Sequence, residues 1–306
     1  MALLPLTLPA AAEAKFPNAP VTLIVPYSPG GSTDIIARGL AEPFQKITGQ
    51  PLVIVNKSGG GSAVGLTEAL TYKPDGYTLV LVPSAFAVAS KLGMVKFDQT
   101  AFDHIANITS EPLCFVVKAS SPWKDMRDVV AFAKANPGVV TIGVGGAGTL
   151  AHMTALGIEK RGNIKMTVVP FGGNALAKTA MLGGHVSIAS MHPSEFVSQM
   201  KAKQVRVLGA VTDTRSPDIP DVPTFKEQGI DFAWDDSRWI AAPKGLAADV
   251  KAELVAIFKK AAAAQSFKDH TDKMKITIDF RSGAALDKQI GVLFSEMAEI
   301  AKEAQK

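Results

Sequence analysis

From Val21 onward, short runs of Val, Ile and Leu alternate with longer stretches whose apolar positions recur every three or four residues. That is the pattern of strands joined by crossover helices, and it defines an α/β chain. Strands are predicted over residues 21–26, 51–55, 78–82, 113–117, 139–144, 165–169, 186–190 and 205–211. Several are apolar at nearly every position, so both faces of their sheets are covered and the strands run parallel. The first helix is the best marked: Ser32 or Thr33 caps it, Asp34 falls in its first turn, Ile35, Ile36, Leu40, Phe44 and Ile47 form one stripe, and Gly49 stops it. Further helices are predicted over residues 123–135, 150–160, 175–182, 247–264 and 284–302.

The chain has 306 residues, more than the roughly 100 to 200 of an ordinary domain. Two segments mark passages between domains. Ala119-Ser120-Ser121-Pro122 separates a strand from a helix, and residues 213–223 hold three prolines and three aspartates before an extended pattern resumes at Phe232. Two crossings leave one lobe discontinuous: residues 15–118 with 233–306 form the first and 119–232 the second. Hydrophobic residues make up 47% and charged residues 20%, enough to fill sizeable cores and incompatible with a disordered chain. The net charge of +4 is spread without a basic block, which excludes a nucleic-acid partner. Cys114, the single cysteine, sits in an apolar run as a buried thiol and permits no disulfide within the chain.

Near the N-terminus, residues 3–12 form a short apolar stretch, and Ala12-Glu13-Ala14 is the A-x-A pattern read by signal peptidase. Residues 1–14 are therefore expected to be the remnant of a signal peptide, with a frayed tail as the alternative. No other segment offers the roughly 20 apolar residues of a membrane helix.

Three glycine-rich segments each follow a strand and open a helix: Ser28-Pro29-Gly30-Gly31-Ser32, Ser58-Gly59-Gly60-Gly61-Ser62 and Gly145-Gly146-Ala147-Gly148-Thr149. Amide groups exposed at a helix N-terminus, beside glycines that admit close approach, suit a carboxylate or phosphate. Glycine demanded only by a tight βα turn is the structural alternative. No arginine lies in these loops, so an anion there is expected to meet the N–H groups of Gly30, Gly31, Gly148 and Thr149 and the hydroxyls of Ser32, Ser84 and Thr149. Arg38, one turn into the first helix, is expected to be an ion-pair partner. His152, three residues beyond Thr149, either touches the ligand or caps and packs its helix.

Gly143-Val144-Gly145-Gly146-Ala147-Gly148 also spells the G-x-G-x-x-G fingerprint of a dinucleotide site. A nucleotide-dependent oxidoreductase is thus the competing reading. Against it, the next strand, residues 165–170, supplies no acidic residue to hold a ribose. The five histidines lie apart without metal-ligand spacing, and no nucleophile elbow, phosphate-binding P-loop or C-x-x-C is present. No metal, cofactor or catalytic residue is expected.

The segments Val25-Pro26-Tyr27-Ser28-Pro29-Gly30-Gly31-Ser32-Thr33-Asp34, Gly49-Gln50-Pro51-Leu52-Val53-Ile54-Val55-Asn56-Lys57 and Pro74-Asp75-Gly76-Tyr77-Thr78-Leu79 occur in this order. They are followed by Gly148-Thr149-Leu150-Ala151-His152, Pro170-Phe171-Gly172-Gly173-Asn174-Ala175 and Trp239-Ile240-Ala241-Ala242-Pro243-Lys244-Gly245-Leu246. Together they resemble the Bug-type receptor family of tripartite tricarboxylate transporters. The resemblance implies a two-lobe fold like that of type II periplasmic binding proteins, with the ligand cleft between the lobes. It implies a monomer of the periplasm that delivers a small organic carboxylate, di- or tricarboxylate or aromatic acid, to membrane transporter subunits without catalysis. It also implies that Ser28, Gly30, Gly31 and Ser32 face Gly146, Gly148 and Thr149 across the cleft and share a carboxylate, with Ser84, Ala85 and Asn174 as further lining. Phe171 stands where the family often has tyrosine, which removes a hydroxyl, and Lys57-Ser58 stands where Arg-Pro is common.

Overall fold

The structure, a computed structural model, describes residues 16–234 and 236–304. The expected leader, residues 1–14, lies outside them. Among the described residues the strands, numbered along the chain, are β1 (Val21–Val25), β2 (Leu52–Asn56), β3 (Thr78–Pro83), β4 (Phe102–Glu111), β5 (Cys114–Lys118), β6 (Thr141–Val144), β7 (Thr167–Pro170), β8 (Ile188–Met191), β9 (Val205–Ala210), β10 (Asp236–Pro243) and β11 (Thr277–Arg281). They form two sheets, one in spatial order β11-β4-β10-β3-β1-β2 and the other β7-β6-β8-β5-β9. The helices are α1 (Ser32–Thr48), α2 (Ala63–Ala69), α3 (Ala85–Lys91), α4 (Met126–Ala135), α5 (Leu150–Gly162), α6 (Asn174–Gly183), α7 (Val197–Lys201), α8 (Ala248–Ala263), α9 (Gln265–Met274) and α10 (Ala284–Ala304).

The sheets are mixed, which corrects the expectation of parallel strands throughout. β1 runs parallel to β2 and β3, and β6 runs parallel to β7 and β8, as crossover helices require. β10 runs antiparallel to β3 and β4, while β5 runs antiparallel to β8 and β9. These reversed strands are the ones by which the chain enters each sheet from the other lobe.

The passages between lobes also lie elsewhere than expected. β5 sits inside the second sheet, so the chain leaves the first lobe at Pro112 and Leu113, ahead of Ala119. Ala119 is only the turn after β5, its N–H donating to the Gln204 carbonyl at 2.8 Å. The return passage follows Trp234, whose indole N–H donates to Thr154 Oγ1 of α5 at 3.0 Å and so belongs to the second lobe.

Helix α1 shows how the local sequence sets the cleft. Gly31, with extended backbone at φ −82° and ψ 166°, takes the cap position, and Ser32 is already helical. The cap is therefore glycine rather than Ser32 or Thr33, whose side chains serve other partners. Ile36, Ala37, Leu40 and Phe44 bury one face against β1 and α8, and Gly49, left-handed at φ 76°, ends the helix through its N–H to the Gln45 carbonyl. In the second lobe Thr149 caps α5, its Oγ1 accepting the His152 N–H at 3.3 Å. A buried apolar cluster runs through both lobes, from Val80, Val82 and Phe86 to Phe115, Ile142 and Val144, with Leu150 and Ala151 of α5 among its members.

Candidate functional site

The starts of α1, α5 and α6 and the loop Gly59–Ser62 enclose a cavity of about 670 Å³ between the lobes. The rims already touch. Ser28 Oγ donates to the Gly172 carbonyl at 3.2 Å across the cleft. On the other side Gly61, at φ +61°, packs so closely that a Cβ there would lie 3.1 Å from the Gly148 carbonyl. Met94 of the first lobe fills the space in front of Gly148, where a Cβ would lie 2.5 Å from its sulfur.

The floor of the cavity is an ionic network that crosses from lobe to lobe. His192 and Glu195 follow β8 of the second lobe; Asp236 and Arg238 open β10 of the first. His192 Nε2 lies 2.5 Å from Asp236 Oδ2, and Arg238 Nη1 donates to Asp236 Oδ1 at 2.6 Å. Glu195 Oε1 accepts the Ser32 N–H at 3.1 Å, its Oε2 accepts the His192 N–H at 2.9 Å, and Asn174 Nδ2 donates to both oxygens, at 3.0 and 2.8 Å. Arg238 Nε donates to Thr33 Oγ1 at 3.1 Å, and Ser32 Oγ bonds Glu111 at the end of β4.

All of these charged side chains are buried, and their mutual contacts decide their charge. Burial pulls the His192 imidazole down, but the hydrogen bond and charge of Asp236, with Glu195 beside it, lift it to about 10. Burial pushes the Asp236 and Glu195 carboxyls up; the Arg238 and His192 cations around the first, and the His192 and Ser32 donors around the second, hold both below the usual range. Glu111 keeps the burial effect and rises. The floor thus pairs two cations with two carboxylates.

Of the residues expected at the ligand, Ser28, Gly31, Ser32, Ala85, Gly146, Thr149, Phe171 and Asn174 line the cavity. The donors expected of Gly30, Ser32, Ser84, Gly148 and Thr149 are engaged within the protein, the Thr149 hydroxyl on the Gly146 carbonyl at 2.8 Å, and His152 takes the capping role that was its alternative. The Gly30 N–H is taken by Asp34 Oδ2 at 2.9 Å, and Asp34 also holds Arg38 at 2.9 Å, the ion pair anticipated for that arginine. Ser84 Oγ accepts the Ser237 N–H at 2.8 Å and donates back to the Ser237 carbonyl at 3.2 Å. The Gly148 N–H donates to His152 Nδ1 at 3.1 Å, so this histidine caps the loop, and its burial keeps the ring neutral-leaning. The amides of Leu150 and Ala151 in α5, and that of Thr33 in α1, lie in the first turns of their helices without a partner in the same helix, and these residues line the cavity, as does Ser62 with its unpaired buried hydroxyl.

Sequence reasoning missed Glu111, Glu195, Asp236 and Arg238 and read His192 as isolated. One local signal existed: His192-Pro193-Ser194-Glu195 has cap spacing with proline at the first helical position, and the structure forms that capping box.

Two α/β lobes that meet on a walled cavity edged by glycine loops and helix N-termini define a two-lobe solute-binding protein. The family model described as tripartite tricarboxylate transporter family receptor matches residues 36–290. The "UPF0065 protein in gbd 5'region" of Cupriavidus necator is 34% identical over 268 residues, covering 87% of this chain and 82% of its own. A TctC solute binding protein from Polaromonas superposes with a TM-score of 0.73 at 28% identity, over 94% of this chain and 99% of that one. MatC from Rhodopseudomonas palustris, solved with bound malate, shares the fold with a TM-score of 0.86 at 24% identity, over 94% and 100% of the two chains. The chain belongs to the tripartite tricarboxylate transporter receptor family, the Bug-type receptors.

Proposed function

We propose that this protein is a monomeric periplasmic receptor that captures a small organic carboxylate and presents it to the membrane subunits of a tripartite tricarboxylate transporter, leaving the ligand chemically unchanged. The observation that carries this reading is the cavity of about 670 Å³ between the lobes, lined by the first residues of α1, α5 and α6, Leu150 and Ala151 among them. Hydrogen bonds to a charged group contribute roughly 1.5 to 3 kcal/mol each, so a few amides with a helix dipole behind them support micromolar affinity without a cationic side chain. Such groups hold an anion but provide neither nucleophile nor base. No helix among the described residues is long and apolar enough to cross a membrane.

A thermal-shift screen tests this reading. Citrate, malate, aliphatic and aromatic acids are compared with NAD, and at least one carboxylate is expected to raise the melting temperature with a saturating dose response while NAD leaves it unchanged. A shift with NAD alone would return the Gly143–Gly148 loop to the dinucleotide reading.

A further inference from the structure

Resting on that reading, one asymmetry narrows the ligand. The two lobes do not offer equal places for a carboxylate. At the start of α1 the anion position is already filled from within the protein: Glu195 accepts the Ser32 N–H and Asp34 accepts the Gly30 N–H. Glu195 is buried, yet it lines the cavity, and Asn174 with the His192 amide holds it in place. At the start of α5, where Leu150 and Ala151 line the cavity, no carboxylate among the described residues takes that place. A Cβ at Gly145, in the loop ahead of α5, would lie 3.1 Å from the Asn174 amide nitrogen, so the start of α6 packs against that loop. Part of the lining is apolar, contributed by Pro83, Ala85, Met94, Leu150, Phe171 and Leu176. The one arginine on the floor, Arg238, is committed to Asp236 and Thr33.

We infer that Glu195 is a resident carboxylate filling the second anion position, so that the cleft selects an organic monocarboxylate with an apolar body over di- and tricarboxylates. A second ligand carboxylate reaching the start of α1 would approach Glu195, and two carboxylates brought that close repel each other. A hydrocarbon or aromatic body meets Phe171, Leu176 and Met94 and gains from leaving water. The malate in MatC does not oppose this, because at 24% identity that protein shares the fold alone.

Matched ligand pairs differing by one carboxylate test the inference on the unmodified protein by calorimetric titration: hexanoate against adipate, and 4-methylbenzoate against benzene-1,4-dicarboxylate. In at least one pair the monocarboxylate is expected to bind tenfold or more tightly than its partner, and Glu195→Gln is expected to shrink that ratio by strengthening the dicarboxylate. A dicarboxylate that binds as tightly as its partner, or more so, overturns the inference while leaving the receptor reading intact. Silence of both pairs together with every acid of the screen overturns the receptor reading and the inference with it. The ratio in the unmodified protein decides the matter even where Glu195→Gln does not fold.

Discussion

At Gly145 there is no room for a side chain, since a Cβ would lie 2.0 Å from Asn174 Oδ1. Gly145→Ala therefore displaces Asn174 from Glu195 at the edge of the cavity. Affinity for the carboxylate found in the screen is expected to fall at least about tenfold, roughly 1.4 kcal/mol; a titration showing unchanged affinity would remove Asn174 from the site. Lys57→Ala is the contrast. Its ammonium pairs with Glu68 at 2.8 Å on the surface, away from the cavity lining, and loss of this solvent-screened pair is expected to leave carboxylate affinity unchanged in the same titration. The residues legible in the sequence were those inside the glycine loops, because a βα turn and its helix start are local events. Ser28, Gly31, Gly146 and Thr149 could be placed at the cleft for that reason, whereas Asn174 was reached only through the family resemblance. Asp236 and Arg238 could not be so placed, because the pairing that brings them to the cleft, Asp236 with His192, joins residues 44 positions apart and leaves no local pattern; Glu195 left only its cap spacing from His192. The same gap explains the misassigned donors: Gly30 and Gly148 looked free only because Asp34 and His152 were not yet seen folding back on them.

Among elements, α1 and α5 announced themselves through stripe and cap, while α3 and β4 did not. Every residue of α3 from Ala85 to Ala89 is buried, with Phe86 packed on Phe97, Phe102 and Phe294, so no polar face marks a helical period. β4 carries Asn107, Thr109 and Glu111 into the interior, and that polarity resembles a loop in the sequence. β10 starts with Asp236, Ser237 and Arg238 for the same reason, and its start meets the turn after β8 through His192. This junction should titrate. His192 has its pKa raised from 6.5 to about 10 in the folded chain, so its contribution to stability is complete below pH 6.5 and is lost as the pH rises toward 10. Glu111, also raised, acts in the same direction at lower pH, whereas the lowered Asp236 and Glu195 withdraw their support in acid. Melting temperature measured against pH is expected to decline between about pH 6.5 and 10, and His192→Gln is expected to melt lower at neutral pH with a flatter profile over that window. Equal slopes for the two proteins would show that His192 is not held charged by Asp236.

For the whole molecule, the α/β character and the count of two lobes were readable from alternating strand and helix patterns, but the passages between lobes were not. The sequence around Pro112 has no run of glycine or proline to mark it, and the proline-rich stretch at 213–223 proved to be surface of the second lobe: its Val222 and Ile219 pack against that lobe's sheet. Two segments of chain therefore join the lobes, at Pro112–Leu113 and between Trp234 and β10. The contacts Ser28 to Gly172 and Gly61 to Gly148 describe the shut form. A receptor that encloses its ligand must open for exchange, which two short crossing segments permit as a hinge motion. Solution X-ray scattering with and without a saturating carboxylate tests this most directly. The curve with ligand is expected to match the shut structure and to give a smaller radius of gyration than the curve without it; identical curves at saturation would contradict a receptor that closes on its ligand.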